Sequence, residues 1–128
     1  MTNLTHQGLT GEILNAAFAV HSSLGPGFVE KAYEKALIAE LRDRGLQVSS
    51  QIEVPILYKG VEVHTHRLDL LVENAVIVEL KAVESLSEVH EAVLISYLKA
   101  AHVGVGLLLN FASQKLTWKR RVLSQGRA

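Results

Sequence analysis

At 128 residues, with 13 basic and 13 acidic side chains and 48% hydrophobic residues, the sequence predicts one domain spanning 1–128 with a real core. The balanced charge excludes a global electrostatic case for nucleic-acid binding and leaves only local patches. The absence of cysteine excludes disulfides, thiolate metal ligands and a thiol nucleophile.

Met1–Gln7 is polar and expected to fray. The first 30 residues lack a basic flank, a continuous apolar core and a cleavage site. No apolar run approaches the roughly 18 residues of a membrane span, so the expectation is a cytoplasmic protein without membrane contact. From about Leu9 to Leu24, Ile13, Leu14, Ala17, Phe18 and Val20 recur at helical spacing, with Thr10 as the expected N-cap. His21, near the end of this helix, reads as a satisfied histidine rather than a ligand.

Gly25-Pro26-Gly27 predicts a sharp break. A second helix is expected from about Phe28 to Arg44, stopped by Gly45. Its stripe is Val29, Ala32, Tyr33, Ala36, Leu37 and Leu41; Glu30 borders that stripe, and helix-dipole stabilisation accounts for it without further function. Val48–Tyr58 reads as a strand that Pro55 pushes to a sheet edge or a bulge. Lys59-Gly60 is a turn, and Val61–His66 leads on into a hairpin, giving a three-stranded antiparallel meander. His64 and His66 share one strand face, but two histidines without a third ligand argue against zinc.

The hairpin runs from Arg67 to Val83 and folds at Glu73-Asn74. Strand alternation puts Arg67, Asp69 and Leu71 on one face of the first strand and Ile77, Glu79 and Lys81 on one face of the second. Folding at the turn brings Asp69 level with Glu79, within one residue of register. Two carboxylates and an ammonium inside apolar strands have two readings. One is a structural ion pair; the other is a hard-cation site for Mg²⁺ or Mn²⁺, in which the lysine orients water or offsets phosphoryl charge.

Ser85 or Ser87 is expected to cap a helix running to about Ala101, with His90 and Tyr97 on a similar face. Val103–Phe111 is a buried strand, and the strand–helix–strand order predicts parallel pairing through a right-handed crossover. Lys115–Val122, with Trp118 among basic residues, reads as a final edge strand, with a nucleic-acid contact as its sharper alternative.

Gly27-Phe28-Val29-Glu30-Lys31-Ala32-Tyr33, followed in order by Arg67–Val72, Val76–Ala82, His90-Glu91-Ala92, Tyr97-Leu98-Lys99 and Leu107–Phe111, resembles the GxxExxY protein family over about Ala16 to Val122. That family is similar to a minimal member of the PD-(D/E)XK nuclease-like superfamily. The resemblance implies an α/β, restriction-endonuclease-like core: a mixed sheet, made of the meander and a βαβ crossover, flanked by helices. It implies a catalytic set of Glu30, Asp69, Glu79 and Lys81. It implies a Mg²⁺ (or Mn²⁺) site on Asp69, Glu79, the Leu80 carbonyl and Glu30, with Tyr33, Arg67, His90 and Tyr97 as substrate contacts. Val93 stands where the resemblance leads one to expect a glutamine, which removes one polar contact.

The expected function is a Mg²⁺-dependent nuclease hydrolysing phosphodiesters of DNA, or in second place RNA, working as a homo-oligomer or with a larger partner. The alternative is a non-catalytic module for nucleic acid or protein that keeps the nuclease fold. A purely structural ion-pair network is the third possibility.

Overall fold

The computed structural model of the chain describes residues 6–123. Most of the N-terminal stretch expected to fray lies outside them. Helix α1 (Gln7–Leu24) begins a turn earlier than Thr10 would set it. Thr10 is buried inside the first turn, its hydroxyl donating to the Gln7 carbonyl at 3.1 Å. His6 takes the cap position instead, in left-handed backbone with φ 54° and no side-chain bond. Leu9 packs against the core, which gives the extra turn a reason to form.

Helix α2 (Glu30–Asp43) follows the Gly25-Pro26-Gly27 break and ends at Gly45, whose φ of 85° suits only a residue without Cβ. It starts two residues later than the apolar stripe suggests. Val29 is extended at the cap, and the Phe28 N–H donates to the Tyr33 hydroxyl instead of entering the helix.

Strands β1 (Val48–Tyr58), β2 (Val61–Val72) and β3 (Val76–Lys81) form the expected antiparallel meander. Glu73 and Asn74, both at φ 54°, with Ala75 N–H donating to the Val72 carbonyl at 2.9 Å, make a tight hairpin turn of the kind whose twist matches its strands. Helix α3 (Glu88–Ala101) then crosses to β4 (Val105–Asn110), which pairs parallel to β3, and β5 (Thr117–Val122) closes the sheet antiparallel to β4. The order is β1-β2-β3-β4-β5, a mixed five-stranded sheet. Pro55 therefore lies in an edge strand, and β1 also carries an irregularity at Ile56/Leu57.

The sheet buries both faces. Leu70, Val72, Val76, Val78, Leu80, Leu107 and Leu109 pack under α1 and α2, while Ile77 and Leu108 pack under Leu94 and Leu98 of α3. At Gly106 a Cβ would stand 2.8 Å from Leu94 Cδ1, so glycine sets how closely α3 lies on the sheet. His21 is buried, its Nε2 2.8 Å from the Ser113 carbonyl; it is a structural pin, not a ligand.

Candidate active site

Asp69 and Glu79 stand where β2 leaves β3. The ladder pairs Leu70–Val72 with Val76–Val78 and goes no further. Beyond that point the two acids replace the missing rungs. The Asp69 N–H donates to Glu79 Oε2 at 3.0 Å, and the Leu80 N–H donates to Asp69 Oδ2 at 2.9 Å. Each strand's backbone donor is thus satisfied by a carboxylate rooted in the other, so neither acid can swing away without orphaning a donor. The same break interrupts the alternation of β2: Leu70 and Val72 pack under α1 and α2, but Leu68 joins the α3-side cluster.

Glu79 is buried, and its carboxyl is pushed up to about 8, first by loss of solvent and then by the charge of Asp69. Asp69 is raised too, chiefly by burial and further by the charges of Glu34 and Glu30, against the pull of its Leu80 hydrogen bond. The positive field of Lys81 lowers both but does not cancel the rise. Among the described residues the Lys81 ammonium makes no hydrogen bond or ion pair, which removes the main support for a purely structural Asp–Lys or Glu–Lys pair.

Glu79 and Lys81 line one small cavity of about 50 Å³ with His90, Val93, Leu94, Tyr97 and Leu108. Its far wall is α3, capped by Ser87, whose hydroxyl accepts from the His90 N–H while His90 Nδ1 accepts from the Ser87 N–H. Behind Lys81 the chain is held by Asn110. This fully buried amide donates to the Val83 carbonyl at 2.9 Å and accepts from the Val83 N–H at 3.1 Å, while the Phe111 N–H closes onto the Lys81 carbonyl.

Glu30 reaches this end of β3 from α2, its carboxylate accepting from the Ala82 N–H at 3.1 Å. Its charge is felt by Asp69. One turn further along, Glu34 is buried and its charge raises both Asp69 and Glu79. Gln51 holds it with a 2.9 Å hydrogen bond from Nε2, and Lys31 bonds its other oxygen. Gln51 has φ 53°, left-handed backbone for a side chain of this size, directly across from Asp69 between the paired Ser50↔Leu70 and Ile52↔Leu68. Neither Glu34 nor Gln51 stood out in the sequence. The i, i+4 relation of Glu34 to Glu30 was the available signal for the first; the second offered none.

The four expected substrate contacts are placed differently. Tyr33 is fully buried, stacked on Phe111 with centroids 4.6 Å apart, its hydroxyl donating to the Gly25 carbonyl at 2.6 Å. It fastens the Gly25–Phe28 turn and has no bond to the Glu30 carboxylate. Arg67 is exposed and pairs with Glu53 at 2.8 Å. His90 faces the cavity, though its Nδ1 serves the helix cap. Tyr97 lines the cavity, and its phenol is pushed up to about 12 by burial and then by the charges of Glu79 and Asp69.

Two close carboxylates have raised proton affinity, and among the described residues no Lys, Arg or His forms an ion pair with either, which fits a small divalent cation. Among the described residues no three His, Asp or Glu side chains form a complete ion cage. Two carboxylates completed by a main-chain oxygen and water form the usual incomplete protein set for Mg²⁺.

Residues 7–121 match the family model of the PD-(D/E)XK nuclease superfamily. No functionally curated protein matches the sequence. Among solved structures, the crystal structure of SSO0001 is similar with a TM-score of 0.58 and 15% identity over 94% of this chain. The chain spans 61% of that protein's length, and at this identity the likeness concerns the fold alone.

Proposed function

This chain belongs to the PD-(D/E)XK nuclease superfamily, and from that premise we propose that it is a Mg²⁺- or Mn²⁺-dependent phosphodiesterase of the cytoplasm acting on DNA, with RNA in second place. The observation that supports the reading is the reciprocal bracing of Asp69 and Glu79, two acids each held by a backbone N–H of the other's strand. Asp69 and Glu79 would hold the ion, with the Leu80 carbonyl completing the protein donors and Glu30 acting through water. When bound, a divalent cation supplies charge neutralisation at the phosphoryl oxygens and a lower pKa for water.

The remaining work belongs to the chain. Lys81, unpaired and facing the same cavity as Glu79, orients the attacking water and offsets the charge that builds on phosphorus. Asn110 keeps the strand exit fixed so that Lys81 stays aimed at that point. Glu34 and Gln51 are positioning residues that hold negative charge behind Asp69 and keep the acids poised to accept a cation. A second copy of the chain or a larger partner supplies the grip on substrate that so small a surface lacks.

A non-catalytic nuclease-fold module is favoured by one feature, the aliphatic Val93 in the cavity wall. The test is cleavage of plasmid and single-stranded DNA in Mg²⁺ or Mn²⁺ by wild type beside Lys81→Ala. Metal-dependent cleavage lost in the variant at an unchanged melting temperature supports the enzyme; no cleavage of either substrate by wild type in either metal refutes it.

A further inference from the structure

A second hollow opens beside the carboxylate cavity, a groove of about 610 Å³ between the outer half of the β1–β2 hairpin and α3. Tyr97 lines both, so one side chain forms a wall common to the two spaces. Its ring packs on His66, with centroids 3.4 Å apart and planes 39° apart, which makes a double aromatic wall. Around that wall stand His64, Lys99 and His102, with Pro55 and Ile56 opposite, and no acid lines the groove. The Nε2 of His66 is buried with no hydrogen-bond partner among the described residues. A structural hollow has no use for that combination of flat apolar faces, cationic or donor groups and an unsatisfied ring nitrogen.

We propose that this groove is a subsite for single-stranded nucleic acid, taking an unpaired base against the His66–Tyr97 wall and its phosphate against Lys99, His64 and His102. The proposal rests on the reading of the adjoining site as a phosphodiesterase, whose scissile phosphate it would present to Lys81. Volume favours a nucleotide or two over a duplex, whose bases stay stacked on each other and would leave the aromatic wall unused. The groove wall is acid-free although the whole chain is neutral, so the local charge matches a phosphate backbone.

The experiment reads binding apart from cleavage. Asp69→Asn, in chelator, is titrated into a short fluorescent single strand of DNA of mixed sequence and into the same strand annealed to its complement, followed by anisotropy. The single strand is expected to bind at least about tenfold tighter than the duplex, and adding Tyr97→Leu is expected to cost about tenfold, the usual scale of one base–aromatic stack. Lys99→Ala and His64→Ala, at exposed positions that leave the fold alone, should weaken single-strand binding and flatten its salt dependence. Lys35→Ala, on the opposite side of the sheet, should not. Equal affinity for single strand and duplex, or unchanged affinity in Lys99→Ala and His64→Ala, overturns the subsite. If wild type fails to cleave with metal while these binding effects appear, the phosphodiesterase reading falls and the subsite stands. If wild type cleaves and the groove variants bind as before, the subsite falls alone.

Discussion

Replacing Glu79 by glutamine should stabilise the metal-free protein at alkaline pH. The glutamine oxygen can still accept from the Asp69 N–H, so the strand junction keeps its bond while the buried charge is gone. The sign follows from proton counting. Glu79 has its folded pKa raised from 4.5 to about 8, so between those values the folded chain holds a proton that the unfolded chain lacks. Stability conferred by that proton is therefore lost as pH rises through this window, and Asp69, also raised, adds to the loss. At about 1.4 kcal/mol per pH unit of displacement the ceiling is about 5 kcal/mol. Sharing of protons between the two acids brings the expected effect to roughly 2–3 kcal/mol. For a domain of this size that is a shift of roughly 6–12 °C. Thermal and urea melts in chelator, at pH 5.5 and pH 8.5, check it. Wild type should lose stability between the two, and Glu79→Gln should lose much less and be the more stable at pH 8.5. Parallel pH profiles for the two proteins would refute the account of a desolvated, mutually repelling acid pair.

Lys81→Met should change the unfolding free energy by no more than about 1 kcal/mol in chelator, because among the described residues the ammonium makes no hydrogen bond or ion pair and acts on the two acids through its field alone, while abolishing cleavage. A drop of several kcal/mol would restore the structural ion-pair reading. Asn110→Ala should cost about 1–2 kcal/mol by urea melt, since it removes a fully buried amide and leaves the N–H and carbonyl of half-buried Val83 without that partner. Tyr33→Phe should lower stability by about 1–2 kcal/mol through its two backbone bonds, with the metal-dependent cleavage rate changed little at a temperature where both proteins are folded. A large loss of rate in that variant would return Tyr33 to the substrate contacts.

Much of the fold was legible because its signals are local. Glu73-Asn74 between β-branched runs marks the hairpin, Pro55 marks a sheet edge or a bulge, Ser85 and Ser87 narrow the α3 cap to two residues of which Ser87 serves, and Gly45 marks the α2 stop. The turn at Glu73-Asn74, with strand alternation, brings Asp69 level with Glu79. What alternation cannot foresee is that the ladder ends at Leu70↔Val78 and that the acids themselves substitute for the next rungs. Thr10 and Tyr33 each have two common uses, cap or first turn, substrate contact or buried anchor; the sequence favours the cap for Thr10 and leaves both uses open for Tyr33, and packing over distant elements selects the first turn and the anchor. Glu34 and Gln51 became visible only once β1 was laid beside β2, because their relation to Asp69 spans three elements.

The central claim is that Asp69 and Glu79 share one divalent cation. Electron paramagnetic resonance of Mn²⁺ titrated into wild type and Asp69→Asn at pH 8 tests it most directly. The account predicts a single Mn²⁺ per wild-type chain, displaced by Mg²⁺, and affinity weaker by at least about tenfold in the variant. Equal Mn²⁺ binding by the two proteins would contradict it.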